Sequence, residues 1–373
     1  MRDFKRKTAA NTFTLLRARL GFEAQPMQNV RILLQVRDSR TFGTTAQLAD
    51  ARNLDLHQGY VEVKQFFNDQ LTLRLGRQEL SYANERIIGT VGWHNIGRVF
   101  DGGLLRYDEE NYSLDFLAMN LNEVQPYQPV ATPTAVAYVK DEGTDLYGGY
   151  LTFKNLSGHR LDGYLLYQWN RKQTTPGKID LNRYTMGAYG KGKFGSVDYE
   201  VEAAYQFGKQ VGATVAASMV TATVGYGFAE GMLNRIAAGV EILTGTRAGS
   251  TKIRTFDPPF HTGHKFYGFM DYFIGIPANT VNRGLVDLLG RATLTLTPDL
   301  TANIWIHHFT LHEKLINDKL LGQEVDIVGL YRYGKSLSFE LGVSAFVPGP
   351  VMRARFGGGD VAFWGYLTTM VTF

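Results

Sequence analysis

The chain of 373 residues is built mostly from short segments in which apolar and polar residues alternate, joined by connections that are alternately short and long. Alternation with a period of two is typical of a β-strand whose faces meet different surroundings. Between residues 197 and 207, for example, Tyr199 and Val201 share one face, while Asp198 and Glu200 share the other. The pattern predicts seventeen strands, at 14–24, 30–39, 56–66, 70–80, 99–107, 111–119, 145–154, 159–169, 182–192, 197–207, 214–228, 233–243, 284–296, 300–310, 323–333, 337–346 and 361–373.

The connections between these strands constrain the fold more than the strands do. Tight turns are predicted at 68–70, 108–111, 156–159, 193–196, 297–300 and 333–336. They alternate with longer loops at about 40–55, 81–98, 120–144, 170–181, 244–283, 311–322 and 347–360. Outer-membrane barrels have short periplasmic turns and long extracellular loops, whereas a soluble sandwich, the alternative, need not collect its long loops at one end. We therefore predict an all-β fold, a transmembrane antiparallel up-and-down β-barrel that forms a single domain over 1–373.

Composition agrees with a barrel and excludes several other classes of protein. Mean hydropathy is −0.17, and the one charge-free run of near-helix length, 211–229, is rich in Thr, Ser and Gly, so a helical membrane protein is not expected. Cysteine is absent, which removes disulfides and thiolate metal sites and suits a chain that crosses the periplasm unfolded. The net charge of +4 permits an anionic ligand without requiring one, and no nucleic-acid partner is expected.

The number of predicted strands is odd, whereas single-chain bacterial barrels have an even number with both termini in the periplasm. We therefore expect that this sequence is truncated, with a signal peptide and one upward strand missing before Phe13, and that the intact barrel has about eighteen strands. Alternatively, residues 1–10 form that strand, although their charges oppose it. The segment 361–373 is then the last downward strand, which closes against 14–24 or remains an open edge. Its terminal Phe373, with alternating apolar neighbours, resembles the C-terminal signature that the bacterial outer-membrane assembly machinery recognises.

Several segments resemble the alginate-export family of outer-membrane barrels. They are 71–80 with Tyr82, 85–89, Trp93 and 98–102, then 16–24 with 35–40, then Tyr267, Gly268 and Asp271, and finally 322–327. Leu71-Thr-Leu-Arg-Leu-Gly-Arg-Gln78 and Gln323-Glu-Val-Asp326 are the most specific of these. The resemblance covers essentially the whole chain. It implies an eighteen-stranded barrel, a lumen lined with charged side chains, and passive passage of an anionic polysaccharide in the best-known member.

Basic side chains on the non-lipid face are the candidate substrate-binding residues, because Arg guanidinium groups pair with carboxylates in a bidentate manner. The pore-lining candidates are Arg17, Arg19, Arg31, Arg37, Lys64, Arg74, Arg77, Arg106, Arg291 and Arg332. The alternative is that charges inside the barrel only neutralise one another. Acidic residues at 198–202, and Ser338 and Glu340 where the resemblance leads us to expect arginines, count against strong anion selectivity.

Other functions find little support in the sequence. His261 and His264 lie in a long loop, and His307 and His308 point to opposite faces of one strand, so no metal site or other cofactor is expected. No serine has the flanking sequence expected of the nucleophile in a Ser-His-Asp hydrolase, and we do not expect an enzyme. The aromatic segment 256–260 is predicted to anchor a large loop that folds into the pore mouth as a constriction.

These observations predict a passive channel in the bacterial outer membrane for a hydrophilic, anionic polysaccharide or oligosaccharide. A general or substrate-specific porin for small solutes is the main alternative, and a barrel enzyme or an adhesin is another. The expected partners are outer-membrane lipid and lipopolysaccharide, the assembly machinery through Phe373, and periplasmic polysaccharide-secretion proteins. We expect the barrel to be a monomer.

Overall fold

The computed structural model describes residues 4–5, 10–42, 54–122, 128–132, 135–139, 141–173, 178–315 and 317–373. Twenty strands are assigned in this part of the chain. They are β1 Thr14–Met27, β2 Val30–Phe42, β3 Leu54–Lys64, β4 Leu71–Gln78, β5 Phe100–Asp108, β6 Tyr112–Asn122, β7 Gln128–Thr132, β8 Ala135–Val139, β9 Asp141–Leu156, β10 His159–Gln173, β11 Lys178–Phe194, β12 Val197–Gln210, β13 Ala213–Gly227, β14 Leu233–Leu243, β15 Lys252–Ile253, β16 Leu285–Thr297, β17 Leu300–Leu315, β18 Asp318–Tyr333, β19 Leu337–Pro348 and β20 Ala362–Val371.

Eighteen of these strands form one sheet, an antiparallel up-and-down β-barrel, which confirms the predicted fold. Seventeen strands are long and each pairs with its neighbour in the chain, apart from the β6–β9 and β14–β16 pairs, which bypass short elements within loops. The two-residue β15 runs parallel to β13, and β7 pairs with β8 in a separate hairpin. Within the described residues, β20 pairs with β19 and β1 with β2, and no pairing joins β20 to β1.

The two faces of the strands differ as the alternation predicts. In β12, the side chains of Val197, Val201 and Tyr205 are 40–43% exposed on the outer face, while Glu202 and Gln206 are buried on the inner face. In a bilayer the outer face would meet lipid, where apolar side chains are favoured, and the inner face would meet water or protein. Predictions of strand faces are therefore confirmed for this strand.

The last strand, β20, follows the same rule. Phe363 and Leu367 are among the most exposed apolar side chains of the protein, and they lie on the outer face. Trp364 and Tyr366 alternate with them and are half-buried on the inner face. The prediction that 361–373 is a membrane strand with two different faces is confirmed.

Two of the predicted long loops are wrong. The segments 170–181 and 311–322 mostly belong to strands, because β10 extends to Gln173, β11 begins at Lys178, β17 ends at Leu315 and β18 begins at Asp318. Backbone pairing between neighbouring strands continues through both segments. Their polar runs, such as 170–173 and 312–314, lack the regular apolar–polar alternation on which the strand prediction depends. Most of the predicted 40–55 loop lies outside the described residues.

Three short helical segments lie in the loops. A 3₁₀ turn spans Gly263–Lys265, helix α1 spans Ile276–Asn279, and helix α2 spans Pro350–Phe356. Helix α2 begins with a proline and is followed by Gly357, whose φ of 70° provides the left-handed C-terminal cap. Across the described part of the chain, no helix is both long and apolar enough to cross a membrane.

Candidate functional site

Two loops, 79–99 and 244–284, fold inward and pair with each other. The amide of Phe260 donates to the carbonyl of Ile87 at 3.0 Å, and the carbonyl of Phe260 accepts from Gly89 at 2.8 Å. The guanidinium of Arg98 donates to the carbonyls of Gly89, Phe260 and His261, which fastens the two loops together. The predicted constriction at 256–260 therefore has a second partner, the 79–99 loop, that sequence reasoning did not supply.

One buried ion pair attaches this loop pair to the barrel wall. Arg86 in the 79–99 loop donates to both carboxylate oxygens of Glu241 on β14, at 2.7 and 2.8 Å. The Cζ atom of the same guanidinium lies 3.9 Å from the ring centroid of Phe266. Both side chains of the pair are at most 4% exposed. Burial alone would lower the pKa of Arg86, but Glu241 outweighs this and holds the pKa above its ordinary value. The guanidinium therefore remains charged.

The opposite wall holds the same loop through three of the predicted pore-lining arginines. Arg17 donates to the carbonyls of Gly92 and His94 at 2.8 and 3.0 Å, while Arg19 and Arg37 both donate to the carbonyl of Ile96. These arginines lie on the inner faces of β1 and β2, as predicted. Their guanidinium groups nevertheless contact backbone of the 79–99 loop, so they position the loop.

Three other predicted residues form ion pairs between neighbouring strands on the inner face. Arg31 donates to both oxygens of Glu23, and Arg106 to both oxygens of Asp115. Arg74 also pairs with Glu62, but its Nε and Nη2 both donate to one oxygen, Oε2. This arrangement is what the neutralising interpretation of the lumen predicts, although the three arginine side chains remain 22–41% exposed.

The remaining four predicted residues have different environments. Arg77 lies on the same face as the exposed Leu75 and pairs with Asp101, so it is on the outer face and does not line the lumen. The alternation at 71–78 places it there, because Arg74 and Gln78 point inward. Arg291 faces inward with its guanidinium 4.2 Å from the ring centroid of Trp305. The inner face also carries the exposed Lys64 and Arg332, close to the turns.

Two cavities adjoin along the inner wall on the turn side of the paired loops. The larger, of about 490 Å³, is lined by Ser81, Tyr82, Arg106, Asp108, Ser113, Asp115, Thr152, Phe153, Lys154, His159 and Arg160. The smaller, of about 250 Å³, is lined by Gly158, Lys191, Gly192, Asp198, Tyr199, Glu200, Thr223, Arg235 and Arg291. In each cavity three Lys or Arg side chains face two carboxylates. Both cavities thus have a small excess of positive charge.

A row of stacked tyrosines forms the boundary between the larger cavity and the loops. Tyr82 stacks on Tyr150 with 4.1 Å between ring centroids, and Tyr150 on Tyr164 with 5.7 Å. Each hydroxyl donates to an inner-face carboxylate, on Asp115, Asp162 and Glu202 respectively, at 2.7–2.9 Å. Sequence reasoning missed this row as a functional feature. The one sequence feature that pointed to this row is Tyr82, which belongs to the segments that resemble the alginate-export family.

Burial and hydrogen bonding shift the pKa of two side chains in the paired loops. Burial lowers the pKa of His261 to about 4, and its Nδ1 lies 3.0 Å from the carbonyl of Pro258. Burial alone would raise the pKa of Glu85, but hydrogen bonds from Thr262 and Ser81 outweigh it, and the pKa lies below its ordinary value. At neutral pH, the loop pair therefore contains a neutral histidine and a charged glutamate.

Two further histidines contact carboxylates. His264 contacts Asp271 at 2.8 Å, and His307 contacts Asp287 at 2.7 Å and lies 3.9 Å from Asp326. In the part of the chain that the structure describes, no group of three metal-ligating side chains converges.

A family model described as Alginate export matches residues 2–359. The chain belongs to the alginate-export family. This places it in the bacterial outer membrane and, together with the barrel, supports an outer-membrane channel. No curated protein matches its sequence.

Solved structures share the fold of this alginate-export family member at low sequence identity. OpdQ of Pseudomonas aeruginosa is 12% identical, with a TM-score of 0.62 over 98% of this chain and 94% of that chain. OccK3 (OpdO) of the same organism is 11% identical, with a TM-score of 0.61 over 96% of this chain and 93% of that chain. Wzi of Escherichia coli, a carbohydrate-binding outer-membrane barrel involved in group 1 capsule assembly, is 12% identical, with a TM-score of 0.55 over 95% and 77%.

Proposed function

We propose that this protein is a channel for the passive passage of a hydrophilic, anionic oligosaccharide or polysaccharide across the outer membrane. The observation that carries the proposal is the charge of the two lumenal cavities, each lined by three cations and two carboxylates. An excess of fixed positive charge in a confined, water-filled path raises the local concentration of anions. Family membership supports the same class of cargo.

The pairing of cations with carboxylates suits passage better than tight binding. Lys154 contacts Asp108, and Arg235 contacts Asp198, so these two cations already have a partner before a ligand arrives. An incoming carboxylate must compete with that partner and therefore gains only a modest free energy. Conduction requires binding that is favourable enough for entry and weak enough for release. A lining in which most but not all of the positive charge is neutralised meets both requirements.

A general or substrate-specific porin for small solutes is the second candidate. The observation that favours it is the engagement of Arg17, Arg19 and Arg37 by the 79–99 loop, which removes these three from the set of groups that could bind a polyanion. The two candidates differ in their response to a large anion. A saccharide channel is blocked by an oligouronate, and a small-solute porin conducts independently of it.

Planar-bilayer recording tests the proposal. We expect stepwise ion currents, a zero-current potential that indicates anion preference in a KCl gradient, and a reversible decrease in current when an alginate oligosaccharide is added. Cation preference, or currents that the oligosaccharide leaves unchanged, would contradict the proposal. Absence of any current steps would contradict a channel altogether.

A matched pair of variants distinguishes lumenal charge from charge in general. Lys154 lines the larger cavity and pairs with Asp108, and Arg77 pairs with Asp101 on the outer face. The exposed fractions of the two pairs are the same, 33% for the cation and 50% for the carboxylate. Lys154→Gln should shift the zero-current potential toward cation preference, and Arg77→Gln should leave it at the wild-type value. Equal shifts would show that lumenal position is irrelevant.

A further inference from the structure

A continuous row of aromatic side chains lies inside the barrel and runs from the inner face of β17, through the two inward loops, to the inner face of β20. Each ring centroid lies within 5 Å of the next, at 4.8 Å, 4.8 Å, 4.2 Å, 4.6 Å and 4.8 Å in order. We name this row the aromatic track, and its members are Trp305, Phe269, His264, Trp93, Tyr366 and Trp364.

The track is assembled from four separate parts of the chain. Trp305 lies on the inner face of β17, and Trp364 and Tyr366 lie on the inner face of β20. The inward loops supply the middle of the row, Trp93 from 79–99 and Phe269 from 244–284. Three of the four tryptophans in the sequence are therefore placed side by side inside the barrel.

Most of these rings keep accessible surface. His264 is buried between Trp93 and Phe269. The plane of its ring makes an angle of 5° with the ring of Trp93 and of 20° with the ring of Phe269. Trp93 is 37% exposed as a residue, and Phe269, Trp305, Trp364 and Tyr366 are half-buried. Exposed aromatic surface inside a water-filled lumen is unfavourable unless a ligand covers it. Because it lies within the barrel, the ligand must be a solute that enters the lumen.

The edges of the track carry hydrogen-bond acceptors. Glu340 accepts the hydroxyl of Tyr366 at 2.6 Å, and Asp271 contacts Nδ1 of His264 at 2.8 Å. A pyranose ring presents polarised C–H groups on its face and hydroxyl donors around its edge. The negative π face of an aromatic ring attracts such C–H groups, and carboxylates accept from hydroxyl groups. Aromatic faces bordered by carboxylates therefore match a sugar ring.

We propose that the aromatic track is a saccharide-binding site, on which pyranose rings stack while their hydroxyl groups donate to Glu340 and Asp271. The proposal rests on the proposed function and extends it, since it assigns ring stacking to this wall and charge pairing to the wall that carries the two cavities. A saccharide chain in the lumen then meets two different surfaces. The track recognises the rings whether or not they bear carboxylates.

Binding of a neutral oligosaccharide isolates stacking from charge pairing. Maltohexaose is titrated into the intact protein in detergent micelles, and intrinsic tryptophan fluorescence is recorded. We expect a saturable change in emission, with a half-saturating concentration that increases about threefold to tenfold in Trp93→Ala and in Trp364→Ala, the loss expected when one stacked ring is removed. Trp169→Phe is the matched control because Trp169 lies on the outer face of β10, and it should keep the wild-type half-saturating concentration.

The absence of a saturable response in the wild-type protein would overturn the proposal, as would wild-type half-saturation in both track variants. Heat-modifiable migration on electrophoresis verifies that each variant is folded, and Phe269→Leu replaces any variant that is not. The measurement requires no ion current, so it is independent of the bilayer test of the channel. A protein that conducts but does not respond to maltohexaose is a channel without this site. A protein that responds but does not conduct has the site without the proposed function.

Discussion

Arg86 and Glu241 are 155 positions apart in the chain, yet the guanidinium of Arg86 donates to both oxygens of the Glu241 carboxylate, at 2.7 and 2.8 Å. This pair joins the 79–99 loop to the wall at β14, while Arg17, Arg19 and Arg37 join the same loop to the wall at β1 and β2. The loop therefore crosses the lumen between two fixed ends.

Removal of the arginine from this pair should destabilise the protein strongly. In Arg86→Met the carboxylate of Glu241 remains buried without its partner, which costs about 3–5 kcal/mol. The free energy of unfolding is measured by urea titration in micelles. The double variant Arg86→Met, Glu241→Leu removes both charges of the pair and should regain part of the loss, since Glu202, 3.7 Å from Arg86, remains buried. Equal stability of the single and double variants would show that the buried charge is not the cause.

Release of the loop at its other end should alter the current rather than the stability of the barrel. Arg17→Ala removes two hydrogen bonds from a charged donor to the carbonyls of Gly92 and His94, each worth about 1.5–3 kcal/mol. We expect frequent conductance substates in single-channel recordings. Arg31→Ala is the control, since Arg31 pairs with Glu23 and not with the loop. The interpretation fails if conductance substates are equally rare in the two variants.

A glycine in β4 should tolerate no side chain. Gly76 has a φ of +129°, and a Cβ at this position would lie 2.2 Å from the carbonyl oxygen of Gly59 on β3. Gly76→Ala should lower the free energy of unfolding by about 1–3 kcal/mol because of the strained backbone, and by more if β3 cannot move. Gly290→Ala, where a Cβ would meet no atom within 4 Å, should have little effect. The urea midpoints of the two variants measure the difference.

Acidification should weaken the loop pair through His261. Its pKa is about 4 in the folded protein against an ordinary value of 6.5, because burial disfavours the charged imidazolium. Below pH 6.5 the unfolded state binds a proton that the folded state does not, so stability falls as pH decreases from about 6.5 to 4 and is constant above. The full loss is about 3 kcal/mol. Urea midpoints at pH 7.5 and 4.5 should differ less in His261→Gln than in wild type, and an equal difference would contradict this assignment.

Much of the fold could be predicted because its pattern is local. In β12 and β20, adjacent side chains face lipid and lumen in turn, and the sequence carries that alternation directly. The prediction failed at 170–181 and 311–322, where polar residues interrupt the alternation although the strands remain paired. Backbone hydrogen bonds between strands do not depend on side-chain type, so a pattern of side chains cannot report them.

The candidate site was predictable only in part. That Arg17, Arg19, Arg31 and Arg37 cluster on the inner face follows from their spacing. Their partners do not follow from it, since the carbonyls of Gly92, His94 and Ile96 have no sequence signature. Likewise, nothing near Trp93 in the sequence indicates that His264 and Tyr366 would meet it.

By itself, the sequence determined a barrel of alternating strands with short turns at one end, a family, and a set of inward-facing charges. The tertiary structure alone decided which of those charges hold loops, which pair across strands, and which border open cavities. The physical reason is distance along the chain. Strand faces depend on neighbours one or two residues away, whereas the contacts between Arg86 and Glu241, and between Trp93 and His264, form only when loops and walls far apart in sequence are folded together.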